Sequence, residues 1–152
     1  MTRAHRPAPG VALKAFEIAV LTSIAVQLWK GFAFWARHRR LNFRRFVQTG
    51  GMPSSHSASV AALTTAVALE EGMLSTLFGV TFFFSLIVMY DAAGLRRAAG
   101  HQARLLNKIV EGHEDTALRK QQLFESLGHT PFEVLVGAML GVAAAIVWHR
   151  LL

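Results

Sequence analysis

A chain of 152 residues with 53% apolar and 16% charged positions, 12 Gly and 4 Pro is neither a disordered polymer nor a collagen-like repeat, and its charged fraction lies well below the roughly 25% of an average soluble domain. A mean hydropathy of +0.36 makes a membrane protein the first expectation and argues against the nucleic-acid ligand that an excess of 16 Lys and Arg over 9 Asp and Glu would suggest in a soluble protein. The lack of cysteine excludes disulfides, thiolate metal sites and a cysteine nucleophile.

Residues 11–29 form an apolar stretch interrupted only by Lys14 and Glu17, close to the roughly 20 residues needed to span a bilayer. It ends in Gln27-Leu28-Trp29-Lys30, which reads as an interfacial aromatic anchor and not as the small-residue cleavage site of a secretory signal. Residues 57–69 are short and rich in Ala, Ser and Thr, which predicts a helix buried among other helices; Glu70-Glu71-Gly72 ends it. Residues 73–90 carry no charge and include Phe82-Phe83-Phe84, the most lipid-like span. In 92–110, Leu95, Ala98, Leu105, Leu106 and Ile109 oppose Arg97, His101, Arg104 and Lys108, the pattern of an amphipathic helix. By composition alone that is a surface helix on anionic lipid. A short polar helix is expected over 116–125. The last span, 131–148, has only Glu133 as a charge and carries Gly137-x-x-x-Gly141 followed by Ala143-Ala144-Ala145, small residues that let helices approach closely. The expected fold is all-α: a polytopic membrane helical bundle of about four membrane-embedded helices plus one amphipathic interfacial helix, in a single domain over 1–152 with no internal repeat.

Charge gives the expected topology. Lys30, Arg37, Arg39, Arg40, Arg44 and Arg45 precede the second span, and Arg96, Arg97, Arg104, Lys108, Arg119 and Lys120 precede the fourth. Four spans put both loops on one side, and the positive-inside rule makes that side cytoplasmic.

The residues with chemical potential lie on the same side. Gly50-Gly51-Met52-Pro53-Ser54-Ser55-His56-Ser57 opens the second helix with Ser54 or Ser55 as N-cap, and such a helix end favours phosphate. His56, in the first turn, could give a proton to a leaving alkoxide; the plainer reading is a Ser cap beside an interfacial His. At Leu127-Gly128-His129-Thr130-Pro131-Phe132-Glu133, Thr130, Pro131 and Glu133 form a capping box that explains Glu133 structurally. His129 and Glu133 are also four residues apart, so the carboxylate could hold one imidazole nitrogen while the other attacks a substrate. Lys30, Arg37, Arg96 and Arg97 end or follow helices that open on this face, where a cradle for phosphoryl oxygens would have to be. A metal-dependent alternative using His129, Glu133 and Asp91 or His101 ranks last, because no span carries a tight ligand set.

The segments 50–58, Asp91-Ala92-Ala93-Gly94-Leu95-Arg96-Arg97-x-x-Gly100-x-Gln102-Ala103 and Leu127-Gly128-His129-Thr130-Pro131-x-Glu133-Val134-x-x-Gly137 together resemble the divergent branch of the type-2 phosphatidic acid phosphatase and vanadium haloperoxidase superfamily, from about residue 27 to 141. In that superfamily, Lys-x6-Arg-Pro precedes Pro-Ser-Gly-His and then Ser-Arg-x5-His-x3-Asp. Lys30 and Arg37 reproduce the first spacing with His38 in place of Pro. Pro53-Ser54-Ser55-His56 has Ser for Gly, His129 and Glu133 match the last His and acid with Glu for Asp, and Leu123 stands where the motif has Arg.

The resemblance implies a membrane lipid-phosphate or lipid-pyrophosphate phosphohydrolase working without metal or cofactor. His129 would form a phosphohistidine, Glu133 would orient the ring and His56 would protonate the leaving lipid oxygen. Lys30, Arg37, Ser54, Ser55 and one of Arg96 and Arg97 would hold the phosphate. The implied partners are the lipid phosphate and membrane lipids, with no nucleic acid, and the site face is expected to be cytoplasmic. Leu123 leaves two readings open: Arg96 or Arg97 supplies the missing guanidinium, or the site is catalytically degraded and the protein binds anionic lipid or a partner. Haloperoxidase activity is not expected of so small and apolar a chain.

Overall fold

In this computed structural model, residues 11–39, 51–112, 123 and 128–151 are described, and they form α1 (Val11–His38), α2 (Ser55–Glu71), α3 (Thr76–Ala93), α4 (Leu95–Glu111) and α5 (Pro131–Leu151). No strand occurs among the described residues. The short helix expected over 116–125 lies outside them except for Leu123, which is not helical.

α1 has 28 residues, about 42 Å at 1.5 Å per residue, and runs nine residues past the apolar stretch that predicts it. Hydropathy marks how deep a residue sits, whereas Lys, Arg and Ala beyond Trp29 all sustain a helix. Trp29 at the edge of this extension and Phe32 and Trp35 within it pack in tilted pairs with centroids 6.3 and 5.7 Å apart and are exposed, as an interfacial aromatic belt requires. α2 and α5 also outrun their expected spans by two or three residues at an end, α3 is shifted three residues along because Ser75 caps its start, and α4 begins at Leu95, after Gly94 separates it from α3.

Among the described residues three stretches are long and apolar enough to cross a membrane: Lys14–Arg37, Thr76–Glu111 and Pro131–Leu151. α2, with 17 residues, is the central helix and packs on α1, α3 and α5. Its buried face is Ser55, Ser57, Ala58, Ala61, Ala62, Thr64, Ala66 and Val67, all but one of them small, because neighbouring backbones come close. A Cβ on Gly137 would collide with the Ser54 carbonyl, and one on Gly141 with the Ala58 carbonyl. The matching four-residue steps set α2 and α5 parallel, first turn against second turn.

The other neighbours are tied by hydroxyls. Ser59 donates to the Ala19 carbonyl of α1 at 3.3 Å. Ser85 of α3 lies 2.7 Å from Thr64 Oγ1 and donates to the Val60 carbonyl at 3.0 Å. These pairings run α1 and α3 opposite to α2 and α5. Ala15, Ile18, Ala62, Ala66, Val67 and Ala145 form the core, with Leu63, Phe78 and Trp148 against it. One end of the bundle thereby gathers the last turns of α1 and α3 and the first turns of α2 and α5.

Candidate active site

At that end, α2 starts from a cis Met52–Pro53 peptide after Gly51, whose φ of 89° suits glycine. Ser54 is the N-cap: its Oγ accepts from Ser57 N–H at 3.3 Å and from the Ser57 hydroxyl at 2.9 Å. It is fully buried, so the structure decides between the two serines; Ser55 is the first helical residue and is also buried. Ser54 N–H donates to the Glu133 carbonyl at 3.3 Å. The two helix starts are therefore joined backbone to backbone.

α5 starts from Gly128, at φ +83° and so close to the Arg96–Arg97 backbone that a Cβ would overlap it. Its neighbour His129 donates its backbone N–H to the Ala92 carbonyl at 2.9 Å. The capping box forms reciprocally: Thr130 N–H to Glu133 Oε2 at 2.8 Å, and Glu133 N–H to Thr130 Oγ1 at 3.3 Å. The same Oε2 lies 3.6 Å from His129 Nδ1, so capping the helix and facing the imidazole are one arrangement and not competing explanations of Glu133.

The His129 side chain is only 2% exposed, and neither ring nitrogen makes a hydrogen bond. Its pKa is held below the usual imidazole value, first by burial and then by the positive charge of Lys30, with Glu133 pulling the other way. At neutral pH the ring is therefore uncharged, with Nδ1 facing the carboxylate and the Nε2 lone pair available. The Lys30 ammonium is buried without a hydrogen-bond partner, a state that is expensive unless an anion compensates it. Its charge acts on both His129 and His56, and Arg96 and Asp91 also act on His56. Lys30, His56, His129 and Glu133 are thus one electrostatic cluster.

The remaining predicted residues lie at its rim. Arg96 Nε is bonded to Asp91 Oδ2 at 2.8 Å. The Arg97 side chain is exposed; what this residue gives the site is the backbone against which Gly128 packs. Arg37 is exposed and, seven residues beyond Lys30, shares its face of α1 about 10 Å further out. Among the described residues no three His, Asp or Glu side chains group as metal ligands, so the set of His129, Glu133 and Asp91 or His101 is not assembled. An apolar cavity of about 250 Å³ between α1 and α5, lined by residues including Val26, Trp29, Pro53 and Leu140, begins one residue from both Lys30 and Ser54.

Sequence reasoning missed three supports: Asp91 as the partner of Arg96, Gly128 as the spacer that admits the start of α4, and Asn107. The last, buried on α4, donates to the Leu123 carbonyl at 2.9 Å and accepts from its N–H at 2.8 Å. An Asn among small residues on the inner face of an amphipathic helix is the signal that could have revealed it.

Comparison with known proteins fits this picture. A family model described as the Divergent PAP2 family matches residues 11–144. An uncharacterized membrane protein, YuiD of Bacillus subtilis (strain 168), is 44% identical over 121 residues, 72% of this chain and 77% of that protein. No solved structure matches.

Proposed function

We propose, for a chain that belongs to the divergent PAP2 family and is an integral membrane protein, that it hydrolyses lipid phosphates or lipid pyrophosphates through a phosphohistidine intermediate. The observation that carries this reading is the buried Lys30 ammonium without a hydrogen-bond partner, electrostatically linked to two imidazoles of which one, His129, is kept neutral. Orphaned donors beside an uncharged nucleophile suit a tetrahedral oxyanion.

In the first step the Nε2 lone pair of His129 attacks phosphorus and the bond to the lipid oxygen breaks. Protonated His56 gives that oxygen its proton, releasing the lipid alcohol (or, from a pyrophosphate, the lipid monophosphate). Burial first, and then the Arg96 and Lys30 charges, hold the His56 pKa below the usual imidazole value; a bound phosphate dianion offsets this by favouring the protonated ring. In the second step neutral His56 takes a proton from water, the water oxygen attacks phosphorus and the P–N bond breaks, which returns His129 and inorganic phosphate. Glu133 orients the ring and balances its charge. Lys30, Arg37 and, of the two neighbouring arginines, Arg96, whose charge acts on His56, stabilise the equatorial oxygens together with the N–H groups organised by Ser54 and Ser55, the contribution expected to dominate phosphoryl transfer. The cavity beside Trp29 and Pro53 suits the first carbons of a lipid chain. Because twelve of the sixteen cations fall in the sequence segments 30–45 and 96–120, we assign the site to the cytoplasmic face.

The test is phosphate release by purified protein in detergent from phosphatidate, phosphatidylglycerophosphate and polyprenyl pyrophosphate, with chelator present. Vanadate-sensitive turnover that disappears in His129→Ala supports the reading; turnover unchanged in that variant overturns it. One observation favours a second reading. The Arg96 guanidinium is already paired with Asp91 and Leu123 occupies the motif arginine's place, so a protein that binds lipid phosphate without turning it over would bind in wild type and fail in Lys30→Met.

A further inference from the structure

α4 has three distinct faces. At 3.6 residues per turn, Gly100, Ala103 and Asn107 lie on one side, and these are its buried residues. Leu95, Leu105, Leu106 and Ile109 lie on a second side, all exposed. Arg97, His101, Arg104 and Lys108 lie on the third, and no acid interrupts the helix before Glu111. Among the described helices α4 packs on α3, which delivers it to the end of the bundle that carries the candidate site. A solvent-facing row of four large aliphatic side chains beside a row of cations matches a bilayer interface: hydrocarbon under one face and anionic headgroups along the other.

The inner face connects that surface to the site. The backbone at Arg96–Arg97 abuts Gly128, the residue before His129. Three turns further along α4, Asn107 holds the Leu123 backbone at both its N–H and its carbonyl. α4 therefore grips the polypeptide leading to His129 at two points, residues 123 and 128.

We propose that α4 binds anionic phospholipid at the membrane surface and thereby braces Leu123 and Gly128, so that bilayer charge controls how firmly the adjoining His129 is held. The lipid concerned is a non-substrate, such as the phosphodiester phosphatidylglycerol, recognised by the Lys108 edge while Ile109 and Leu105 enter the acyl region. This inference stands apart from the catalytic reading, since its readouts are structural.

The experiment uses the full chain in lipid nanodiscs of phosphatidylcholine alone or mixed with phosphatidylglycerol. Because the protein has no cysteine, Ile109→Cys and His101→Cys each take a single spin label. The expected result is a label at 109 accessible to oxygen and shielded from a water-soluble nickel chelate, the reverse at 101, and slower amide hydrogen exchange over 123–130 as phosphatidylglycerol increases. Lys108→Gln should weaken that lipid response about fivefold, the effect of one basic residue near an anionic surface, and Ile109→Gln should reduce it through lost burial. A label at 109 exposed to water, cross-linking of Ile109→Cys between two copies, or exchange over 123–130 indifferent to lipid charge would each overturn the proposal.

Discussion

Two His–Glu pairs sit at opposite ends of this bundle at the same separation. His129 Nδ1 and Glu133 Oε2 are 3.6 Å apart, and so are His149 Nδ1 and Glu70 Oε1. Their burial is inverted. In the first pair the imidazole is 2% exposed and the carboxylate 22%; in the second the imidazole is 37% exposed and the carboxylate 6%. Burying the ring favours its neutral form, which is what a nucleophile needs, whereas burying the carboxylate calls for a cation beside it. Helix polarity reinforces the contrast: the first pair lies at the N-terminal ends of α2 and α5, which attract anions, and the second at their C-terminal ends, which attract cations. The distance between the two groups thus says little; function follows from which partner is buried and which helix ends surround it.

The largest expected effect separates the two ends outright. His129→Ala should reduce lipid-phosphate turnover by at least about a thousandfold, as loss of an attacking nucleophile does, while His149→Ala should leave it within about twofold and change only stability. Phosphate release by both variants, purified as monodisperse protein, checks this. Comparable losses in the two would dissolve the distinction between the pairs.

Next comes the cation that only the site end buries. Lys30→Met removes an ammonium that has no hydrogen-bond partner and replaces it with an apolar side chain of similar length, so activity should fall about a hundredfold or more while the melting temperature of the ligand-free protein rises. Parallel turnover and thermal-unfolding measurements in one detergent give both signs. A loss of stability would mean that Lys30 holds the fold and not a ligand.

Much of this comparison was legible in the sequence. The four apolar segments, the amphipathic stretch and the capping box at Thr130-Pro131-x-Glu133 follow from periodicity and short-range chemistry, and each became a helix or a helix start. Gly137 and Gly141 announced close packing, but not that Ser54 and Ala58 are what they pack against; that depends on the relative register of two helices far apart in the chain. Lys30 and Arg37 read alike in sequence, as two cations for a phosphate cradle, and only the convergence of α1, α2 and α5 buries the Lys30 ammonium while Arg37 stays exposed. The Glu70–His149 pair was not visible at all, because 79 positions separate its members and neither belongs to a local pattern.

The smallest effect is a displacement of the pH profile, and its sign distinguishes the two neighbours of His129. Attack requires the neutral ring, so kcat/KM should fall on acidification through the lowered His129 pKa, with the acid limb below the ordinary imidazole value. Lys30 depresses this pKa and Glu133 raises it. In Glu133→Gln the raising charge is gone while the amide oxygen can still accept from Thr130 N–H, as Gln does in capping boxes. Its acid limb should therefore move to lower pH, with turnover down about tenfold through poorer support of the ring. Residual activity in Lys30→Met should show the limb moving the opposite way, towards the ordinary imidazole value. Differences between variants cancel the ionisation of the phosphate substrate itself. Glu70→Gln, which alters a carboxylate of equal proximity to an imidazole but at the other end, should leave the limb where it is; a shift there would mean that His129 does not set the profile.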